Sequence, residues 1–121
     1  MNTYDNLIAW QACHKLVLSV YFATAKWPTD ERYGLVAQAR RAAFSSAANL
    51  AEGSAKRSYR DFRRYIDNAL ASLAELRYII RLANELELLE AKEGDLLEAV
   101  RNEAGKVTWG LYRHVSKQVR Q

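Results

Sequence analysis

Residues 58–83 read SYRDFRRYIDNALASLAELRYIIRLA. In this stretch Phe62, Ile66, Ala69, Leu73, Leu76, Ile80 and Ala83 recur at alternating intervals of four and three. That spacing lines apolar side chains along one side of an α-helix, which turns once in about 3.6 residues. It is a heptad-type seam, sustained for about three heptads. A half-buried strand would alternate at every second residue, and this stretch does not. Ser58 followed three residues later by Asp61 forms a capping arrangement for the start of the helix. The pattern weakens around residues 87–92.

Reading outward, a fourth helix follows and continues to about residue 119. Leu97, Val100, Ala104, Val107, Leu111 and His114 carry the same three-four spacing. Gly105 and Gly110 lie inside it, and each lowers helix propensity by about 1 kcal/mol relative to Ala unless it marks a close helix contact. Upstream, residues 31–52 predict a helix rich in small residues: Ala37, Ala39, Ala42, Ala43, Ser46, Ala47 and Ala48. Small side chains let a neighbouring helix approach closely. Thr29 or Asp30 is the expected N-cap, and Gly53 sits where a left-handed C-cap would be placed. The first helix is expected over residues 5–26. Leu7, Trp10, His14, Val17, Tyr21 and Thr24 form its stripe, widened by Ala9, Cys13, Leu16 and Val20. Pro28 then stops it. Short connections favour antiparallel neighbours, so the expected fold is all-α: an antiparallel up-down-up-down four-helix bundle.

The chain of 121 residues fits a single domain over residues 1–121. Half of it is hydrophobic and 26% is charged, a globular composition. One cysteine, Cys13, excludes an internal disulfide framework. The start MNTYDNLIAWQACHK lacks a basic segment followed by an apolar run, and no apolar stretch approaches the roughly 20 residues that span a bilayer. The expected location is cytoplasmic, without a membrane partner.

Signs of catalysis are poor. The two histidines, His14 and His114, belong to no HExxH motif. Cys13 and His14, being adjacent, point to different faces of a helix and do not share a metal readily. The five glycines are scattered singly, so no phosphate loop forms, and there is no GxSxG elbow. No carboxylate belongs to the paired Glu-x-x-His pattern of di-iron bundles. The expectation is a protein without enzymatic activity, metal or cofactor. Three tryptophans and seven tyrosines invite a comparison with base-stacking platforms. Trp10, Tyr21 and Tyr65, however, lie on or beside the apolar stripes and suit core or subunit packing. Trp109 and Tyr112 lie off the main seam and suit an oligomer contact.

Two polar features remain. Gln38, Arg41, Ser45, Asn49 and Glu52 fall within about an 80° arc at 100° per residue. Arg64, Asn68, Ser72 and Glu75 form a matching stripe on the next helix. Antiparallel pairing would bring Glu52 near Arg60, Ser45 near Asn68, and Arg41 near Ser72 or Glu75. The stripe is either a solvated face or a structural polar network buried between helices or subunits. In the second case Arg41 and Glu75 must be paired, because a stranded buried charge costs about 3–5 kcal/mol.

The second feature is charge segregated by end. Lys56, Arg57, Arg60, Arg63 and Arg64 crowd the second turn against Asp61 alone. In an up-down bundle Arg113, Lys117 and Arg120 join them at the same end. The opposite end collects Asp30, Glu31, Glu85, Glu87, Glu90, Glu93, Asp95 and Glu98. Basic residues favour helix C-termini, which accounts for residues 113–120 but not for a basic helix start. The misfit points to an anionic partner, with RNA or DNA held through its phosphates and little sequence specificity.

The run PTDERYGLVAQARRAAFSSAANLAEG, residues 28–53, resembles the four-helix-bundle proteins encoded in intervening sequences of bacterial 23S rRNA genes. The shared elements are Pro28, Glu31, Tyr33, Gly34, Leu35, Gln38, Arg40, Arg41, Ala42, Ala43, Ser45, Asn49, Ala51, Glu52 and Gly53. Leu7, Ala9 and Trp10 precede them, and Ser58, Phe62, Ala69, Ser72, Glu75 and Leu76 follow. Ser46 and Ala47 depart from a common isoleucine and a frequent proline, and Ala71 from a frequent glycine. The resemblance implies an up-down bundle assembled as a homopentamer, with no catalytic activity. A related group, the accessory variability determinants of diversity-generating retroelements, forms basic pentamers that bind nucleic acid and a reverse transcriptase. By this analogy the expected function is a non-enzymatic, nucleic-acid-associated oligomer. The alternative is a scaffold that docks a partner protein and binds no nucleic acid.

Overall fold

The computed structural model describes residues 4–119, which form four α-helices and no strand. A 3₁₀ turn over Tyr4–Asn6 precedes α1, Ile8–Thr24. The Gln11 side chain ties back to this turn by donating to the Asp5 carbonyl at 2.9 Å. Helix α2 spans Ala37–Ser54, α3 spans Tyr59–Glu85 and α4 spans Ala91–Val119. Helix α1 packs against α2 and α4, and α3 packs against the same two helices. Across two of these pairs, α2–α3 and α1–α4, residue numbers rise on one helix as they fall on the other. Ser45 meets Ser72 and Asn49 meets Asn68 between α2 and α3. Cys13 meets Thr108, and Lys26 meets Glu93, between α1 and α4.

The seam of α3 is the one its spacing predicts. Ile66, Ala69, Leu73, Leu76, Ile80 and Ala83 are buried, Ile79 joins them, and Phe62 is half-buried at the end. Ser58 caps the helix by accepting the Asp61 N–H at 3.1 Å. Its C-terminus closes through two backbone bonds, Leu88 N–H to the Ala83 carbonyl and Glu87 N–H to the Asn84 carbonyl. This is a Schellman arrangement, with Glu87 at φ 60° in the left-handed position usually given to glycine.

Helix α2 differs from expectation at both ends. Regular helix begins at Ala37, not at residue 31. A 3₁₀ turn over Thr29–Glu31 and a wide π-type turn over Arg32–Val36 come first, the latter broken at Gly34 (φ −102°, ψ −109°). Neither Thr29 nor Asp30 caps; the Glu31 carboxylate does so, accepting from the Leu35 N–H at 3.3 Å. At the far end Gly53 is not left-handed. It lies inside the last turn of α2 because α3 passes so close. A Cβ there would stand 2.6 Å from the Tyr65 Cβ and 2.9 Å from a Phe62 ring carbon. The alanines of α2 serve the same end: Ala39, Ala42, Ala43 and Ala47 are all buried.

In α4 the buried line is Gly94, Leu97, Arg101, Ala104, Thr108 and Val115. Val100, Val107 and Leu111 flank it, and His114 is exposed. Two polar residues therefore occupy seam positions that hydrophobicity alone assigns to their neighbours. Arg101 lies 7% exposed and forms a two-point bond to Glu98, at 2.8 and 2.7 Å. Thr108 is fully buried, its hydroxyl 3.7 Å from the Cys13 sulfur. Burial pushes the Cys13 thiol above its ordinary pKa, against smaller opposing contributions from Ser46 and Thr108. Ser46 itself donates to the Ala43 carbonyl at 2.7 Å, so its buried hydroxyl is satisfied within its own helix. Gly105 and Gly110 are not close-contact points. A Cβ at Gly105 would meet only an Arg101 nitrogen at 3.7 Å, and one at Gly110 would meet nothing within 4 Å.

Candidate functional site

The turn between α2 and α3 is short and tightly held. Ala55 N–H bonds the Glu52 carbonyl and Lys56 N–H bonds the Gly53 carbonyl, at 3.1 and 3.0 Å. The Ser58 cap then starts α3 at once. Lys56 and Arg57 project from the turn, and Arg60, Arg63 and Arg64 from the first turns of the helix. All are exposed except Arg63, which is half-buried. Among the described residues this cluster contains one ion pair, Arg64 with Asp61 at 3.8 Å. A helix N-terminus carries partial positive charge, so these cations sit where the dipole opposes them. Aromatic faces relieve two of them: Lys56 lies 5.1 Å and Arg64 5.6 Å from the centre of the Tyr65 ring. Such contacts stabilise a cation without neutralising it.

Two clefts flank the cluster. One, of about 430 Å³, lies between Lys56, Arg57, Tyr59 and Phe62 and reaches Leu7 ahead of α1. The other, of about 290 Å³, is bordered by Arg60, Arg63, Arg64, Asp61, Asp67 and, from α4, Tyr112. The start of α1, the α2–α3 turn and the last part of α4 thus meet at this end. Arg113 and Lys117 are exposed on α4 beyond Tyr112 and form no ion pair among the described residues. Arg120 lies outside the described residues.

The polar stripe divides in two. Ser72 donates to the Ser45 hydroxyl at 2.9 Å, Asn49 donates to the Ser45 carbonyl at 2.8 Å, and Asn68 reaches Asn49 at 3.5 Å. These four residues link α2 to α3. Gln38, Arg41, Glu52 and Glu75 lie exposed beside them. The expected approaches of Glu52 to Arg60 and of Arg41 to Glu75 form no ion pair. Within one chain this outer half of the stripe faces outward.

The aromatic residues are also redistributed. Tyr21 is 44% exposed and lies under Arg40, whose guanidinium carbon is 4.4 Å from the ring centre. Arg40 also donates to the Thr24 hydroxyl at 2.9 Å. Trp10 stacks on His14 at a groove between α1 and α2 that includes Val17 and Phe44. Trp109 stacks on Tyr112, with centroids 5.3 Å apart and ring planes 9° apart. This pair adjoins the basic cleft, an arrangement that one helix's periodicity cannot reveal because it needs α3 and α4 together. Among the described residues no group of three or more His, Cys, Asp or Glu side chains could hold a metal ion. No helix among them is long and apolar enough to cross a membrane.

A family model described as the 23S rRNA-intervening sequence protein matches residues 5–110 of this chain. No curated protein matches it.

Proposed function

The chain belongs to the 23S rRNA-intervening sequence protein family, and from that premise we propose that it is a non-enzymatic assembly protein that holds RNA or DNA through its basic end. The observation that supports this reading is the cluster of Lys56, Arg57, Arg60, Arg63 and Arg64, with one carboxylate partner for five cations. Five like charges at a helix start are costly unless an anion is brought to them. A phosphate backbone is such an anion, and each neutralised phosphate releases bound counterions. The chain folds as an up-down-up-down bundle and assembles as a homopentamer, so that several basic ends act on one strand by avidity. The exposed half of the polar stripe supports the assembly. Arg41 and Glu75 form no ion pair among the described residues and would complete their pairing across a subunit contact.

A titration with structured RNA and with duplex DNA at two salt concentrations tests the reading. Binding is expected at low salt, with a steep fall as salt rises; no binding at low salt rejects it. Arg41→Ala should leave the unfolding of the isolated chain unchanged and lower the assembly state in sedimentation. An unchanged sedimentation profile would remove the stripe from the subunit contact. A second reading, a scaffold that docks a partner protein, draws support from the exposed Phe22 and Leu96 beside an α1–α4 groove. A pull-down that survives nuclease treatment would favour it.

A further inference from the structure

The outer face of α4 carries Lys106, Trp109, Arg113 and Lys117 at intervals of three and four, so the four side chains form one row. Lys106, Arg113 and Lys117 are exposed cations. Trp109 is 51% exposed. One side of its indole is covered by Tyr112 at 5.3 Å, and the ring planes are nearly parallel. Tyr112 in turn borders the cleft of Arg60, Arg63 and Arg64. A half-open, pre-stacked indole therefore stands between two sets of cations, one on α4 and one on α3. Asp61 and Asp67 share the cleft, and Asp61 pairs with Arg64.

Each part of this face matches a different part of one ligand. Phosphates spaced along a strand suit the row of cations. The open indole face suits the flat face of a base, and Tyr112 holds the ring in place before any base arrives. Asp67 offers an acceptor to the N–H groups on a base edge. Bases inside a duplex are already stacked on each other and cannot present a free face to Trp109. Contact of this face with its own copy would bring Lys106, Arg113 and Lys117 against their like, so in a ring it could meet only a different surface of the neighbour. We propose that this α4–α3 face binds unpaired nucleic acid, with one base stacked on Trp109 and the flanking phosphates held by Lys106 and Arg113 on α4 and by Arg60 and Arg64 on α3. The inference rests on the nucleic-acid reading given above.

The test compares the full chain with Trp109→Ala and Trp109→Phe, using a labelled single-stranded RNA of mixed sequence and a duplex of the same sequence, at two salt concentrations. Trp109→Ala should weaken single-strand binding about 5- to 150-fold, the range expected for loss of one stacked base. Duplex binding and the salt dependence should stay as in wild type, since no cation is removed. Trp109→Phe should restore most of the single-strand affinity. Independently of any variant, photocrosslinking of a bromouridine-containing strand to the wild-type protein should mark the peptide that contains Trp109 and Tyr112. Equal losses on single strand and duplex would overturn the proposal, as would crosslinks confined to other peptides. A change in sedimentation caused by Trp109→Ala would overturn it too, by making the face a subunit contact. Duplex binding with a single-strand affinity indifferent to Trp109 overturns this inference alone, whereas failure of wild type to bind either ligand at low salt overturns the nucleic-acid reading with it.

Discussion

The two ends of the molecule handle charge differently. At the acidic end three carboxylates have cationic partners: Glu93 with Lys26, Glu85 with Arg81 and Glu98 with Arg101. The Lys26 partnership holds Glu93 below the ordinary carboxylate pKa, first through the hydrogen bond, and Glu93 likewise holds Lys26 above the usual lysine value. At the basic end one of the five cations has a carboxylate partner among the described residues, Arg64 with Asp61 at 3.8 Å. Several acidic residues also lie near helix starts, where the dipole favours them, whereas the cations of α3 lie where it does not. Among the described residues, three of the eight carboxylates at the acidic end are paired within the chain. At the basic end four of the five cations have no carboxylate partner among the described residues, and such an excess of one charge attracts its opposite.

The contrast is broken most forcefully by reversing Arg60, Arg63 and Arg64 to glutamate. The bundle should stay folded by circular dichroism, while nucleic-acid affinity at low salt falls by at least about 100-fold and its salt dependence flattens. Reversing Glu87 and Glu90 to lysine should leave that affinity within a few-fold of wild type. Equal losses at both ends would mean that net charge matters and location does not.

Packing distinguishes the ends as well. Gly53→Ala drives a methyl group against Tyr65 Cβ, an atom fixed to the α3 backbone, so the helices must part. A loss of about 1–3 kcal/mol is expected in chemical denaturation. Gly94→Ala meets the Asn84 side chain, with its Cγ at 2.9 Å, and Asn84 is exposed and free to rotate away. Its cost should be under about 1 kcal/mol, offset by the better helix propensity of alanine. A reversed order would show that α3 and α4 are the tighter pair.

An effect comparable to that of Gly53→Ala is expected from Glu98→Ala, which leaves Arg101 nearly buried without its partner. The expected destabilisation is about 1–3 kcal/mol, below that of a fully buried pair because Glu98 reaches solvent. Arg101→Met in the same background should recover part of it; no recovery would mean that Arg101 is not a stranded charge. The mildest change is Gly110→Ala, at a position where an added Cβ would meet nothing within 4 Å beyond its own helix. It should raise stability by up to about 1 kcal/mol. A loss of assembly in this variant would place Gly110 at a subunit contact.

What could be read from the sequence follows from how each residue is buried. The seam of α3 is legible because only apolar side chains form it. The seam of α4 is not, because Arg101 and Thr108 enter the interior through Glu98 and beside Cys13, and a polar residue gives no apolar signal. Spacing therefore draws the eye to Val100 and Val107, one position away. The start of α2 depends on the Glu31 carboxylate and a break at Gly34, both local backbone events that leave the apolar period unchanged. The basic cluster shows in composition alone, since five cations against one acid need no fold to be counted. Its neighbour Trp109 acquires meaning only when α4 lies beside α3 and Tyr112 reaches the arginines.

Cys13 supplies a built-in clock. Its sulfur is sealed where α1, α2 and α4 meet, between Ser46 and Thr108, and its raised pKa keeps it as the unreactive thiol at neutral pH. A thiol reagent can reach it only when α1 lifts away. Being the single cysteine in the chain, it marks each such opening without ambiguity. The rate of its modification therefore counts how often the closed molecule comes apart, with and without whatever occupies its basic end.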